Sequence, residues 1–225
     1  ILRCLVGSEM CIRDSHCEFD TVQNCDIESA FSLHPVTTNT VYHLLRTAKV
    51  NTATGHDGIS SRLLRTIADA ACFNIALIFN SSIELNVFPD EWKKANITAI
   101  WKGHGSKKDP ANYRPVSVLP VLGRILEKVC AKQLNCFCSS NEIVPREQYG
   151  FRSGSSCELA LLSITEYCLK EMDKGNYVGA LLVDLSKAFD TVSHDLLLRE
   201  LLSIGLSNDT LLWFHSYLSL SLIHI

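Results

Sequence analysis

Ala180-Leu-Leu-Val-Asp184-Leu-Ser-Lys-Ala-Phe189-Asp190 is the stretch on which the fold and the chemistry turn. Residues 177–185 are apolar on both faces, the pattern of a strand buried in the middle of a sheet, and the run closes on a carboxylate. An uncompensated buried Asp184 is costly, so the group is paired, caps a turn or holds a cation. From the residues alone, a turn cap and a metal ligand are equally good readings, because an Asp at a strand end is common. Phe189 can wall the floor of a site, although a lone Phe is more often ordinary core. The intervening backbone amides can face a polyphosphate as an anion nest.

Outward from this stretch, composition narrows the class. The chain has 225 residues, 47% hydrophobic and 20% charged, enough to build a core and against disorder. Its formal charge of −3 argues against a binder that relies on bulk positive charge. No apolar run is long enough to span a bilayer, which predicts a soluble chain with no membrane partner. Ten cysteines fall short of a disulfide scaffold and fit a reducing, intracellular compartment; Cys136-x-Cys138 lacks the second close pair that structural zinc wants. Residues 1–15 have no signal-peptide core and no period, and resemble a translated adaptor, as do residues 220–225.

Periodicity predicts an α+β fold. Val36, Val41, Leu44, Leu45 and Ala48 mark a short amphipathic helix, followed by a loop over 51–58. A long helix capped by Ser60 or Ser61 carries Leu64, Ile67, Ala71, Ile75, Ile78 and Phe79 on one side and ends near Asn86. Residues 95–101 alternate as a strand, residues 103–114 form a polar loop, and Leu122 to Phe137 follow a helical period. Ser155-x-x-Glu158 reads as a capping box for a helix through Met172, ended by Gly175-Asn176. Helices after Ser193 and after Ser207 complete the pattern. Between 93 and 114, Lys93, Lys94, Lys102, Lys107, Lys108 and Arg114 face Asp109 alone, a basic patch in an acidic chain.

Several ordered motifs run through residues 55–219: Gly55-His-Asp-Gly-Ile59, Phe88-Pro-Asp-Glu-Trp92-Lys-Lys-Ala95, Trp101-Lys102-Gly103 with Asn112-Tyr-Arg114-Pro-Val-Ser-Val-Leu119, Gln148-Tyr-Gly-Phe-Arg152-Ser-Gly154, Asp184-Leu-Ser-Lys-Ala-Phe-Asp190 and Ser216-Tyr-Leu-Ser219. In order and spacing they resemble the reverse transcriptases of non-LTR (LINE-type) retrotransposons. The resemblance implies RNA-directed DNA synthesis by two-metal-ion nucleotidyl transfer, with Mg2+ as the ion, an RNA template, a DNA primer and deoxynucleoside triphosphates.

It also implies roles. Asp184 would bind both ions and the Leu185 carbonyl would complete the coordination of one. Lys102 and Arg114 would clamp the incoming triphosphate, and Phe189 would act as a steric gate against a ribose 2′-hydroxyl. Lys107 and Lys108 would track template or primer backbone, or else belong to a solvated loop. Arg152 would touch the template or brace the fingers; Asp190 reads as structural and Lys187 stays open. The implied organisation is a helical N-terminal extension over 16–90, fingers over 91–175 and the start of a palm over 176–219, with cytoplasm and nucleus as the expected compartments. The family's aromatic-x-Asp-Asp hairpin does not occur in the sequence, so the chain is expected to be a fragment, inactive alone. A non-catalytic nucleic-acid-binding module is the alternative, and an intron-type maturase fits the motifs less closely.

Overall fold

Hydroxyl side chains start most of the helices. In the computed structural model, which describes residues 30–185 and 191–219 and the backbone of Ile223 and His224, Thr37, Ser60, Ser156, Ser193 and Ser207 each accept a hydrogen bond from the backbone N–H three residues on. They open α1 (Thr38–Arg46), α2 (Ser61–Thr66), α6 (Cys157–Asp173), α7 (His194–Ser203) and α8 (Asn208–Leu218). The remaining helices are α3 (Ala68–Glu84), the single turn α4 (Asp90–Lys93) and α5 (Val121–Ser140). Strand β1 (Ala95–Trp101) pairs antiparallel with β2 (Tyr113–Val118) and parallel with the two-residue β3 (Ile223–His224), in the order β2-β1-β3. Helices and a small sheet are segregated, as in an α+β chain.

One apolar cluster joins α1, α2, α3, α5, α7 and α8, with Val41, Leu45, Phe79, Leu126, Leu198, Leu211 and Trp213 almost wholly buried. Cys72 and Cys130 belong to it as small hydrophobes, and burial, with Glu127 nearby, pushes the Cys130 thiol up to about 12. An extended strap, residues 31–36, threads between the helices. The Asn80 side chain exchanges two hydrogen bonds with the Val36 backbone (2.7 and 3.0 Å), and Gln133 does the same with His34 (2.8 and 2.9 Å). Phe31 bridges Leu206 in parallel fashion, and Leu33 N–H donates to Thr210 Oγ1 at 3.0 Å.

The turn after α3 sets the route into the core. Asn86 takes a left-handed φ of 56°, Val87 N–H reaches the Ser82 carbonyl at 3.0 Å and Asn86 N–H the Ile83 carbonyl at 3.2 Å, a Schellman closure. Phe88 is thereby turned inward against Trp213 and Tyr217, at ring separations of 5.5 and 5.0 Å. Ser82 Oγ donates to the Val87 carbonyl (2.7 Å) and accepts from Trp213 Nε1 (3.1 Å), while Ser216 Oγ accepts from Phe88 N–H (3.0 Å).

Four expectations need correction. The long helix from Ser61 is broken at Ile67, whose ψ of 12° ends α2; Ala68 and Cys72 turn inward, while Ile67 and Ile78, expected on the buried side, are exposed. The capping residue of α6 is Ser156, one later than expected, because Ser155 N–H closes the preceding turn on the Arg152 carbonyl. The polar loop ends at Asn112, and Tyr113–Val118 is a strand in spite of Pro115. As an edge strand it can lack one donor at little cost. Residues 177–185 form no strand: no described strand lies beside them to exchange hydrogen bonds, and Leu181 and Leu182 are about 90% exposed.

Replacing Ser82 by Ala leaves the buried Trp213 N–H without its acceptor and should cost ~1–3 kcal/mol. A lower urea midpoint than that of the exposed control Ser81→Ala, which should stay within ~0.5 kcal/mol of the parent, checks this.

Candidate nucleotide and nucleic-acid site

The β1–β2 hairpin is fixed at its base and free at its tip. Ala95 is buried where β1 begins, and Pro120 is buried where β2 runs into α5. Gly55 lies so close to this junction that a Cβ there would sit 2.6 Å from the Pro120 Cα and N. Gly123, on the first turn of α5, meets Trp92 in the same way, a Cβ there lying 3.0 Å from the Trp92 Cβ. Two motifs distant in sequence, 55–59 and 88–95, therefore clamp the root of the hairpin. Beyond the root most of the strand residues are exposed.

At the tip, Lys102 N–H continues the ladder to the Asn112 carbonyl (2.8 Å), and its ammonium donates to the Ala111 carbonyl (2.6 Å). Asp109 spends its carboxylate on Ala111 N–H (2.9 Å), capping the short 3-10 turn Pro110–Asn112. Ile100 and Arg114 are direct partners and share one face; Lys102, two positions beyond Ile100, falls on that face by alternation. Arg114 is exposed and has no ion-pair partner among the described residues. Lys107 lies over the Trp101 ring, 5.1 Å from its centroid, and Lys108 is exposed beside it.

The structure brings Lys102, Lys107, Lys108 and Arg114 onto one hairpin. It takes Lys93 and Lys94 out of the patch, because Asp90 pairs with Lys93 at 2.8 Å and Glu91 with Lys94 at 2.6 Å. Those hydrogen-bonded lysines hold both carboxyls below their ordinary range. The spacing of three residues within each pair was the available signal, just outside the 93–114 window. Arg152 donates to the Pro145 carbonyl at 2.8 Å and so ties down its own loop.

Asp184 and Leu185 are exposed, and Asp184 makes no hydrogen bond or ion pair with a described residue. Phe189, Lys187 and Asp190 lie outside the described residues, as do residues 1–29. Among the described residues no group of three His, Cys, Asp or Glu side chains could hold a metal ion. The carboxylate and carbonyl oxygens of Asp184 and Leu185 are the kind of donors magnesium takes, but the described residues do not assemble a complete ligand set around them. Ser216-Tyr-Leu-Ser219 and Phe88 to Trp92 prove to be packing elements: Tyr217 stacks on Trp213 and donates to the buried Glu127 at 3.0 Å.

Residues 106–224, more than half of the chain, match the family described as reverse transcriptase (RNA-dependent DNA polymerase). The chain belongs to the reverse transcriptases. Its relatives are RNA-directed DNA polymerases named from non-LTR retrotransposons. It is 33% identical over 178 residues to the RNA-directed DNA polymerase from mobile element jockey of Drosophila melanogaster, covering 77% of this chain and 19% of that protein. It is 34% identical over 144 residues to the probable polymerase from transposon X-element of the same species, covering 64% and 16%. The probable polymerase from transposon BS is 28% identical over 174 residues, covering 77% and 19%. The chain thus spans about a fifth of the length of these relatives. No described helix is long and apolar enough to cross a membrane.

For this reverse transcriptase chain, Gly55→Ala drives a Cβ into backbone that cannot rotate away, and should cost ~1–3 kcal/mol. Gly179→Ala, where a Cβ meets nothing within 4 Å, is the control; equal melting temperatures for the two variants would refute the clamp.

Proposed function

We propose that the chain is the nucleotide-gripping and template-gripping part of an RNA-directed DNA polymerase. The observation that carries this is the concentration of Lys102, Lys107, Lys108 and Arg114 on one projecting hairpin whose only acid, Asp109, is already engaged. Lys102 and Arg114, on one face, suit the phosphates of a deoxynucleoside triphosphate: an ammonium with two donors still free beside a planar guanidinium fork. Lys107 and Lys108 suit the sugar–phosphate backbone of an RNA template or DNA primer. Arg152 serves its own loop and contributes to the template path only through it.

Asp184, with the Leu185 carbonyl, is the proposed magnesium position, and Phe189 the proposed sugar gate. When bound, the ions would supply charge neutralisation at the reacting phosphate and a more acidic primer hydroxyl. The domain limits follow the same reading: a helical extension over 16–90, fingers over 91–175 and palm from 176. A second reading, a nucleic-acid-binding module without chemistry, is favoured by the setting of Asp184, exposed and part of no group of three potential metal ligands among the described residues.

Binding to a short single strand should weaken with salt. Neutralising Lys107 and Lys108 together should lower the slope of log K against log salt by roughly 1.4, at about 0.7 per phosphate contact. Lys93→Ala with Lys94→Ala, whose partners are Asp90 and Glu91, should leave the slope nearly as it is. Slopes that fall equally in both double variants would refute the assignment.

Primer extension on a poly(rA)/oligo(dT) substrate with magnesium separates polymerase from module. The isolated chain should extend no more than a protein-free control. Extension that disappears in Asp184→Asn would show instead that these residues assemble the full catalytic centre.

A further inference from the structure

The hairpin has a second face, which a grip on a triphosphate leaves unused. Trp101 and Tyr113 are direct cross-strand partners, so both side chains stand on the face opposite Ile100 and Arg114. Of the three tryptophans, Trp213 is buried, Trp92 is half-buried and Trp101 is exposed, at 38%. The Lys107 ammonium stands 5.1 Å from the centroid of its ring.

The loop holds that lysine in place. Tyr113 donates its hydroxyl to the Lys107 carbonyl (2.9 Å), Asn112 donates its amide to the Ser106 carbonyl (2.9 Å), and Lys108 N–H donates to Ser106 Oγ (3.2 Å). Gly105 permits the tight return, since a Cβ there would sit 2.6 Å from the Asn112 amide nitrogen. An exposed indole on a strand, a cation over its face and further cations around the rim match one ligand chemistry: a single-stranded nucleic acid. Its bases offer a π-face to the indole, and its phosphates offer an anion to the ammonium.

We infer that the Trp101 and Tyr113 face of the hairpin is a stacking platform for an unpaired base of a single strand, with Lys107 exchanging the indole face for the neighbouring phosphate. This rests on the nucleic-acid reading above and adds a residue and a strand state to it. Duplex bases are already stacked on each other and gain nothing from the ring, so the platform distinguishes an unpaired stretch from a paired one.

The test uses the full chain, a short oligouridylate and a blunt duplex of equal phosphate number. Trp101→Leu, which keeps apolar bulk and loses the π-face, should weaken oligouridylate binding roughly tenfold to a hundredfold and leave duplex binding little changed. Trp101→Phe should retain most of the affinity. In the unsubstituted chain, oligouridylate should quench the indole emission more than the duplex does. Single-strand binding that survives Trp101→Leu, or saturates without quenching, overturns the platform alone. Failure of the parent chain to bind either probe overturns the nucleic-acid reading together with it.

Discussion

Trp213 is a large apolar ring with one N–H that must be answered inside the core, and the answer comes from Ser82 on a different helix. Because Ser82 Oγ also donates to the Val87 carbonyl, one hydroxyl fixes α8 against α3 and fixes the turn that follows α3. That turn aims Phe88 between Trp213 and Tyr217, and Ser216 answers the Phe88 N–H from the α8 side. Tyr217 then reaches Glu127 on α5. Three helices and the connection leading to β1 are thus positioned through a single satisfied polar network, in which each member left unpaired would bear the desolvation cost of a buried dipole.

The strap over 31–36 shows the same economy in another form. The extended strap contains Pro35 and buries only Phe31 and Leu33, while His34 and Pro35 stay exposed, so its backbone groups lie at the edge of the core and need partners there. Asn80 and Gln133 solve this by presenting an amide, which has the same donor and acceptor pair as a neighbouring strand. Two residues that would otherwise look like polar intrusions on apolar helices are in effect surrogate strand partners.

What the sequence discloses depends on how local the cause is. Helices α7 and α8 are legible because cap and apolar period lie within or beside the element itself, and α1 and α5 through their apolar period alone. The break at Ile67 is not, since no Gly or Pro marks it and the rotation of the buried face is decided by packing against α1. Strand β2 was hidden by Pro115, whose missing donor matters only if its position in the sheet is unknown. The apolar run at 177–185 has the composition of a strand, but a strand is a property of two segments. At the candidate site, motif order singles out Lys102 and Arg114, and the strand register puts them on one face of the hairpin. The contact of Lys107 with Trp101, and the diversion of Lys93 and Lys94 to Asp90 and Glu91, depend on a loop conformation and on side-chain geometry.

The hairpin's charge is tolerable because of where its root is held. Lys102, Lys107, Lys108 and Arg114 would repel one another and pay heavily for desolvation if packed on the helical body, whereas on a projecting two-stranded tip water screens them. Such a tip needs a stiff attachment, or its side chains could not meet a ligand in a fixed register. Gly55 against Pro120 and Gly123 against Trp92 provide it by letting backbone and ring approach more closely than any side chain would allow. Rigidity at the root and exposure at the tip are therefore two aspects of one arrangement. A two-faced hairpin held this way can present cations on one side and an aromatic ring on the other without either disturbing the core that supports it.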